Sequence, residues 1–448
     1  MGAGDGVVCE GIRRGAAFGG GGGGGWVGFW LRCRFGCGFT RASSAGRAEI
    51  GLRLPCACGF RMASSAGRAV QWAVSRVGGM SSSPSPSPSS PPLPSSSSSS
   101  SSPSPSSSSS SFSGVAGASG AGGGFRHGYC FDPSYGYGVE ELLRVGVPGV
   151  PGGFAGFWRG RYEEALEVVT APEVGAVEEV RDGVRVCRVS FSSVGGVRLG
   201  GWLALPVDGP AEHGFVVGHG YGGRDAPGPD LPLPLPRSAA LLPCVRGMGE
   251  RSRLPGVPSV ADAHVLHGIS SRDTYVIGAC VADLWCAASA LLELVPELAR
   301  HPSGPRLGYL GESFGGGLGA LALPWDDRFA AARLTVPTFG NHPLRLTLPC
   351  TGSGESVRRH HRDHPHVVDV LSYFDAATAA TFVRVPTLVA AALFDPAVPP
   401  PGQFAVHNAL PDDLRALHVL SAGHFDHPGA EEEAAGLARA DREFFTRL

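Results

Sequence analysis

At 448 residues the chain is long enough for one large domain or two of ordinary size. Its formal net charge of −2 gives no electrostatic reason to expect a nucleic-acid or anionic-membrane partner. The sequence has no lysine, so its 37 basic residues are all arginine. This excludes mechanisms that depend on a lysine Schiff base or a biotinyl-lysine.

The first quarter of the chain differs in composition from the rest. Residues 1–80 are rich in Gly, Arg and Cys and have no sustained helix or strand periodicity, and residues 81–125 form a Ser/Pro-rich linker. Such a linker cannot bury enough apolar surface to fold, so we predict disorder for it. We expect residues 1–80 to be disordered or not native, and one folded domain over 126–448.

Partners and location are predicted from what the sequence lacks. Residues 1–25 have no apolar core of signal-peptide length, and no uninterrupted apolar run is long enough to span a membrane. The pairs Cys33/Cys37 and Cys56/Cys58 have no suitably spaced histidines beside them, so we expect no metal site there. We therefore predict a cytoplasmic protein without a membrane or nucleic-acid partner.

From about residue 131 onward, strand and helix patterns alternate. Residues 154–169 have helical periodicity, and the alternating runs 184–191 and 197–206 flank a Gly-Gly turn, which predicts a hairpin. A long helical pattern covers 271–298. Short apolar runs indicate buried strands at 214–217, 239–245, 307–310, 387–394 and 417–420. The pattern predicts an α/β fold: a mostly parallel sheet with helices on both faces, preceded by an N-terminal antiparallel hairpin.

The segment Gly311-Glu-Ser313-Phe-Gly315 has the Gly-x-Ser-x-Gly pattern of a nucleophile elbow. With 68 glycines in the chain, the motif alone could arise by chance. The predicted elements around it must therefore show whether it is a nucleophile elbow. It directly follows a predicted strand and precedes a small-residue helix, as an elbow requires. Ser313 is therefore the candidate nucleophile.

A serine nucleophile needs a histidine base and a carboxylate that orients the imidazole. Asp395 follows the predicted strand 387–394, and His424 follows the predicted strand 417–420. The order Ser, Asp, His along the chain is the order found in α/β-hydrolases. His427, three residues further on, has the same chemistry, and the residues alone leave it as a rival base.

An oxyanion hole requires two backbone N–H groups directed at the developing charge. One would come from Phe314, directly after the nucleophile, and the second from Tyr221 in the glycine-rich loop 219–223. The histidine-rich stretch of residues 360–366 could suggest zinc. Adjacent histidines point away from each other on a helix, and Pro365 interrupts the stretch, so we predict no metal. We likewise expect no organic cofactor.

Several further motifs resemble one family. From about residue 154 to the C-terminus the chain resembles the acetyl xylan esterase/cephalosporin-C deacetylase family, carbohydrate esterase family seven. The resemblance rests on six segments in the same order: Gly200-Gly-Trp-Leu-Ala-Leu-Pro206, His219-Gly-Tyr-Gly222, Arg246-Gly-Met-Gly249, Gly268-Ile-Ser-Ser-Arg-Asp-Thr-Tyr275, Leu371-Ser-Tyr-Phe-Asp375 and Phe394-Asp-Pro-Ala-Val-Pro-Pro400.

The resemblance implies the α/β-hydrolase fold and deacetylation of short acetylated sugars; some members also act on the 3′-acetate of cephalosporin C. By resemblance Ser313, Asp395 and His424 form the triad, Tyr221 and Phe314 supply the oxyanion hole, and His424 is favoured over His427. Family members are often hexameric rings in the cytoplasm, so the resemblance implies a homo-oligomer.

The chain departs from the family at three positions. Phe314 follows the nucleophile where glutamine is usual, Met248 replaces the glutamine of an Arg-Gly-Gln motif, and Phe425 replaces a glutamate after the histidine. Three polar-to-apolar changes predict a drier site. Catalysis should tolerate the change at Phe314, because only its backbone N–H enters the oxyanion hole.

The sequence thus predicts a serine esterase that removes acetyl groups from small acetylated substrates. Two alternatives stay open at this point. One is another hydrolase of the same fold, such as a peptidase or a dienelactone-type hydrolase. The other is a catalytically silent hydrolase fold that serves as a scaffold.

Overall fold

The computed structural model describes residues 125–300, 304 and 306–446. The predictions for residues 1–80 and 81–125, including those for Cys33, Cys37, Cys56 and Cys58, therefore lie outside the described residues, apart from Phe125.

Nine strands of the described chain form one mixed sheet. They are β1 (Glu173–Arg181), β2 (Val184–Ser193), β3 (Val197–Pro206), β4 (His213–Gly218), β5 (Ser238–Pro243), β6 (Leu307–Glu312), β7 (Phe329–Thr335), β8 (Thr387–Ala392) and β9 (Arg415–Leu420). The strand order is β1-β2-β3-β5-β4-β6-β7-β8-β9. Pairing is antiparallel from β1 to β5 and parallel from β5 to β9. The predicted sheet type is confirmed.

The predicted hairpin is confirmed as β2 and β3, which pair antiparallel along their whole length. Gly195 and Gly196 make the reversal with φ of 75° and 71°, a region that favours glycine. β1, which pairs with β2, is not among the predicted strands. Nearly all of its side chains are exposed on both faces, so apolar and polar residues do not alternate along it.

Eleven α-helices of the described chain accompany the sheet. They are α1 (Val139–Leu142), α2 (Phe154–Leu166), α3 (Ala261–His264), α4 (Val276–Leu294), α5 (Phe314–Ala322), α6 (His342–Arg345), α7 (Gly352–Asp363), α8 (Val367–Leu371), α9 (Ala376–Ala380), α10 (Pro400–Ala409) and α11 (Ala430–Phe445). The helical patterns of 154–169 and 271–298 are confirmed as α2 and α4, each shorter than predicted.

Both faces of the sheet are covered, because neighbouring strand residues enter different hydrophobic clusters. In β4, Val216 joins the larger cluster with α4 and α5, whereas Phe215 packs on Phe445 of α11 on the opposite face. Of the described helices, only α4 is long and apolar enough to cross a membrane by length and composition. Most of it is buried against the sheet, as expected of a core helix.

The parallel strands bring the candidate residues to one edge. Ser313 directly follows β6, Asp395 follows β8 by three residues, and His424 follows β9 by four. The glycine-rich loop 219–223 begins where β4 ends. Loops at the carboxyl ends of parallel strands are where α/β folds place their sites.

Candidate active site

Ser313 forms a strained turn between β6 and α5. Its φ of 52° and ψ of −107° lie outside the regions that non-glycine residues ordinarily adopt. Three backbone hydrogen bonds hold it there: its N–H donates to the carbonyl of Thr335 at 2.8 Å, and its carbonyl accepts from the N–H groups of Gly317 at 3.0 Å and Thr338 at 3.1 Å. This conformation is that of a nucleophile elbow.

The two glycines of the motif are required by close backbone contacts. A Cβ placed at Gly315 would lie 2.7 Å from the carbonyl carbon of Gly218, and one at Gly311 would lie 2.5 Å from the carbonyl oxygen of Gly315. Contacts this short would push the elbow away from β4. The glycines of Gly-x-Ser-x-Gly therefore serve packing at this turn and are not only a product of the glycine-rich composition.

His424 lies between Ser313 and Asp395. Its Nδ1 is 2.8 Å from Oδ2 of Asp395, and its Nε2 is 2.9 Å from Oγ of Ser313. Because a carboxylate only accepts, Nδ1 carries the proton and Nε2 is free to accept from the serine hydroxyl. The structure thus brings together the three residues that the sequence singled out, in the geometry of a nucleophile, base and orienting carboxylate.

Opposing influences set the pKa of His424. Burial alone lowers the pKa, but the hydrogen bond to Asp395 and the charges of Asp395 and Glu312 raise it above the ordinary value for histidine. Asp395 therefore stabilises the imidazolium form that arises when the base takes up a proton.

Asp395 is fully buried and held by several donors. Its Oδ1 accepts from the N–H groups of Ala397 at 2.8 Å and Val398 at 2.9 Å. Its Oδ2 accepts from His424 and from Nε2 of Gln403 at 3.0 Å. These bonds compensate for the burial of the carboxylate and fix the oxygen that faces the imidazole.

Two supporting residues near the acid were not singled out from the sequence. Gln403 of α10 is fully buried, and besides Asp395 it contacts the carbonyl of Val398 at 2.7 Å and the N–H of Ala392 at 2.8 Å. A Cβ at Gly423 would lie 2.4 Å from Oδ2 of Asp395. A polar side chain within an otherwise apolar helix segment was the available signal for Gln403.

The glycine-rich loop 219–223 lies against the elbow. The N–H of Gly315 donates to the carbonyl of His219 at 2.9 Å, and the Tyr221 ring stacks on Phe314 with 3.9 Å between ring centroids. Within the described chain, the backbone N–H groups of Tyr221 and Phe314 donate no hydrogen bond. Phe314 is also the first residue of α5, where the helix dipole favours negative charge.

Two neutral histidines support this loop. His219 donates from Nδ1 to the carbonyl of Gly220 at 2.7 Å and accepts the N–H of Val245 at Nε2. His264 lies 3.1 Å from the Tyr221 hydroxyl. Burial is the main cause that lowers the pKa of His219 to about 3 and the pKa of His264 to about 4. Both therefore act as uncharged supports at neutral pH.

His427, the rival base, faces away from the serine. Its Nδ1 is 3.2 Å from the carbonyl of Phe425, and its Nε2 is 3.2 Å from a carboxylate oxygen of Glu433. The structure therefore brings His424, and not His427, within hydrogen-bond distance of Ser313.

An aromatic segment, residues 125–135, covers the loops of Asp395 and His424. Phe125 lies 5.1 Å from Phe394 and 5.5 Å from Phe425 between ring centroids. The segment is anchored where the N–H of Asp395 donates to the carbonyl of Pro133 at 3.1 Å. Phe425, where the family usually has glutamate, thus belongs to an aromatic wall beside the base.

The histidine-rich stretch forms no metal site in the structure. His360 and His364 stack on each other with 4.2 Å between centroids. Across the described residues, no group of three or more His, Cys, Asp or Glu side chains is placed to hold a metal ion.

The elbow, the parallel sheet and the Ser–His–Asp contact define a serine hydrolase of the α/β-hydrolase fold. Residues 145–435 match the family model for acetyl xylan esterase (AXE1). The chain therefore belongs to the acetyl xylan esterase family, and the family predicted from the sequence is confirmed.

Two solved structures are similar in fold. One is acetyl xylan esterase 1 from Thermoanaerobacterium sp. JW/SL YS485, with a TM-score of 0.57 and 19% identity over 69% of this chain and 99% of that one. The other is an acetyl xylan esterase from Paenibacillus sp. R4, with a TM-score of 0.55 and 21% identity over 69% and 100%. At these identities the likeness supports the fold.

Proposed function

We propose that the protein deacetylates small acetylated substrates with Ser313, His424 and Asp395 as its catalytic triad. The observation that carries this proposal is the continuous path Asp395–His424–Ser313, with contacts of 2.8 and 2.9 Å. The oxyanion hole consists of the N–H groups of Tyr221 and Phe314, which have no acceptor in the described part of the chain.

In the proposed mechanism, Oγ of Ser313 attacks the acetyl carbon while its proton passes to Nε2 of His424. The two N–H groups stabilise the tetrahedral oxyanion. The C–O bond to the alcohol then breaks, and the alcohol leaves with the proton from His424. Water, deprotonated by His424, attacks the acetyl-enzyme, Ser313 regains its proton, and acetate is released.

The proposed substrates are acetylated xylo-oligosaccharides first and cephalosporin C second. Membership of the acetyl xylan esterase family and the likeness to two acetyl xylan esterases support the first. The aromatic wall of Phe125, Phe394 and Phe425 beside the base supports a site that excludes water around the leaving alcohol. The homo-oligomer, a hexameric ring by family resemblance, and the cytoplasmic location stay predictions.

Replacing the nucleophile tests the proposal directly. Ser313→Ala should reduce kcat for p-nitrophenyl acetate by about 10⁴–10⁶, because the covalent step is lost while the fold is kept. Ser270→Ala, at an exposed serine in the loop before α4, is the control and should keep full activity. Unchanged turnover in Ser313→Ala would refute the assignment.

The two alternatives make different predictions. A catalytically silent scaffold would leave Ser313 unlabelled by a fluorophosphonate probe, whereas the esterase should be labelled in the parent and not in Ser313→Ala. A panel of acetyl esters, longer acyl esters and peptides separates the esterase from a peptidase or a dienelactone-type hydrolase. Preference for acetyl esters is the expected result.

A further inference from the structure

Arg345, the last residue of α6, is a buried cation that has no ion-pair or hydrogen-bond partner for its side chain among the described residues. Only 4% of its surface is exposed. Its side chain has no carboxylate within ion-pair distance and donates no hydrogen bond to any residue that the structure describes, and its buried Nε is unsatisfied. By contrast, the buried side chains of Arg224 and Arg246 lie 2.8 and 2.6 Å from an aspartate oxygen. Buried charges are normally paired, since an isolated one is costly.

The guanidinium lies between the ring of Phe339, which neighbours Phe314 of the elbow, and Gly354 of α7, which neighbours the loop that carries Asp395. On one side its Cζ is 5.8 Å from the centroid of the Phe339 ring, which is 6.1 Å from the ring of Phe314. On the other side, a Cβ placed at Gly354 would lie 2.7 Å from Nη2 of Arg345 and 3.4 Å from the carbonyl oxygen of Ala397. The ring of Phe339 thus separates the charge from the elbow, and Gly354 separates it from the loop of Asp395.

The surrounding interior holds further polar atoms without partners. Tyr275 Oη, His342 Nδ1 and Thr378 Oγ1 are buried and unsatisfied. The ring centroid of His342 lies 6.1 Å from that of Phe339, and the ring centroid of Tyr275 lies 4.8 Å from that of Phe374. Burial, with the charge of Arg345 second, lowers the pKa of His342 to about 3. The region therefore combines an unneutralised positive charge with hydroxyl groups that can donate.

We propose that Arg345 binds a carboxylate in the active site, so that the preferred substrates are acetyl esters that also carry a carboxylate. The planar guanidinium matches the two oxygens of a carboxylate, and an anion would neutralise the buried charge. This inference rests on the proposed function and deepens it by naming the substrate class. Arg345 is a specificity residue in this proposal and takes no part in acyl transfer.

A matched pair of esters tests the proposal. 4-Acetoxybenzoate and methyl 4-acetoxybenzoate release the same acetyl group, and only the first carries a carboxylate. Arg345→Met should lower the ratio of kcat/KM for the acid to that for the methyl ester by about 10- to 100-fold. Arg144→Met changes the net charge equally at an arginine whose side chain is 69% exposed, and it should leave the ratio unchanged.

Acetate inhibition of methyl ester hydrolysis identifies the source of the carboxylate. A lowered ester ratio supports a carboxylate on the substrate. An unchanged ratio with weaker acetate inhibition would assign the site to released acetate and overturn the proposed substrate class. If neither changes, Arg345 binds no carboxylate. Hydrolysis of the methyl ester by the parent reports on the esterase proposal separately, so the two failures are distinguishable.

Thermal melting distinguishes a binding role of Arg345 from a purely structural role. Because the Arg345 side chain has no ion-pair or hydrogen-bond partner in the described chain, Arg345→Met should melt at the same temperature as the parent or higher. Sodium benzoate should raise the melting temperature of the parent more than that of the variant, since a ligand stabilises the state that binds it. A marked fall in the melting temperature of the variant without ligand would show a structural partner and contradict the proposal.

Discussion

At the scale of single residues, the pKa of the candidate base His424 depends on the balance between burial and the carboxylate of Asp395. Burial alone would lower the pKa of His424, and the hydrogen bond and charge of Asp395 more than offset that effect. Asp395 also selects the tautomer, because it accepts the Nδ1 proton and leaves Nε2 facing Ser313. The contact with Asp395 therefore sets both the pKa of His424 and the orientation of its ring.

Asp395→Asn separates this contribution experimentally. Without the carboxylate charge, burial dominates, so the pKa of His424 should fall and the acidic limb of the kcat/KM profile should move to lower pH. The plateau should drop by about 10⁴, because asparagine favours the wrong tautomer. Asp363→Asn, at an exposed position of α7, should change neither. An acidic limb that stays in place would argue against His424 as the base.

Residue types and their order were enough to predict Ser313 and Asp395, whereas the choice of His424 over His427 also needed the family resemblance. Each lies within four residues of the carboxyl end of a parallel strand, where local geometry restricts which residues fit. Gln403 and Arg345 could not be predicted in this way. Gln403 meets Asp395 only because α10 packs beside β8, and the isolation of Arg345 becomes visible only when the surrounding side chains are in place.

At the scale of elements, the turn from β6 to α5 depends on close packing against β4. Gly315→Ala should lower the free energy of unfolding by about 1–3 kcal/mol and reduce esterase activity, since its Cβ would overlap the backbone of Gly218. Gly160→Ala in α2 is the matched control, with nothing within 4 Å of the new Cβ. It should stabilise the protein by about 0.5–1 kcal/mol. Urea denaturation measures both changes, and equal effects would contradict this view of the elbow.

Most strands that the sequence predicted have one buried face or are fully buried, and β9, which is mostly half-buried, is the exception. β4, β5, β6, β8 and β9 contain short apolar runs, and β2 alternates as a strand with one buried face should. β1 was missed because its side chains are exposed on both faces. β7 was missed because its sequence, Phe-Ala-Ala-Ala-Arg-Leu-Thr, has alanines that favour helix as much as strand. Its position between β6 and β8 makes it a strand.

At the scale of the whole molecule, one buried ion pair connects three parts of the fold. Asp283 of α4 is fully buried, and Arg246, after β5, donates to it from Nη2 at 2.6 Å, from Nε at 3.0 Å and from its backbone N–H at 2.9 Å. Ser193, at the end of β2, donates to the same carboxylate at 2.6 Å. The carboxylate of Asp283 on the core helix therefore binds residues of both the hairpin and the segment after β5.

This connection predicts a large loss of stability when one partner is removed. Asp283→Asn would leave the guanidinium of Arg246 buried without a counter-charge, and breaking such a pair costs about 3–5 kcal/mol. Burial by itself lowers the pKa of Arg246, and the charge of Asp283 reverses that effect, so the pair is electrostatically strong.

Glu140→Gln is the control, because Glu140 pairs with Arg144 where both side chains are exposed, and it should cost less than about 0.5 kcal/mol. The two unfolding free energies, measured by urea denaturation at pH 7, should differ several-fold. A loss for Asp283→Asn as small as that for Glu140→Gln would mean that water or a shift of α4 compensates for the lost charge, and that packing alone connects the hairpin to the sheet.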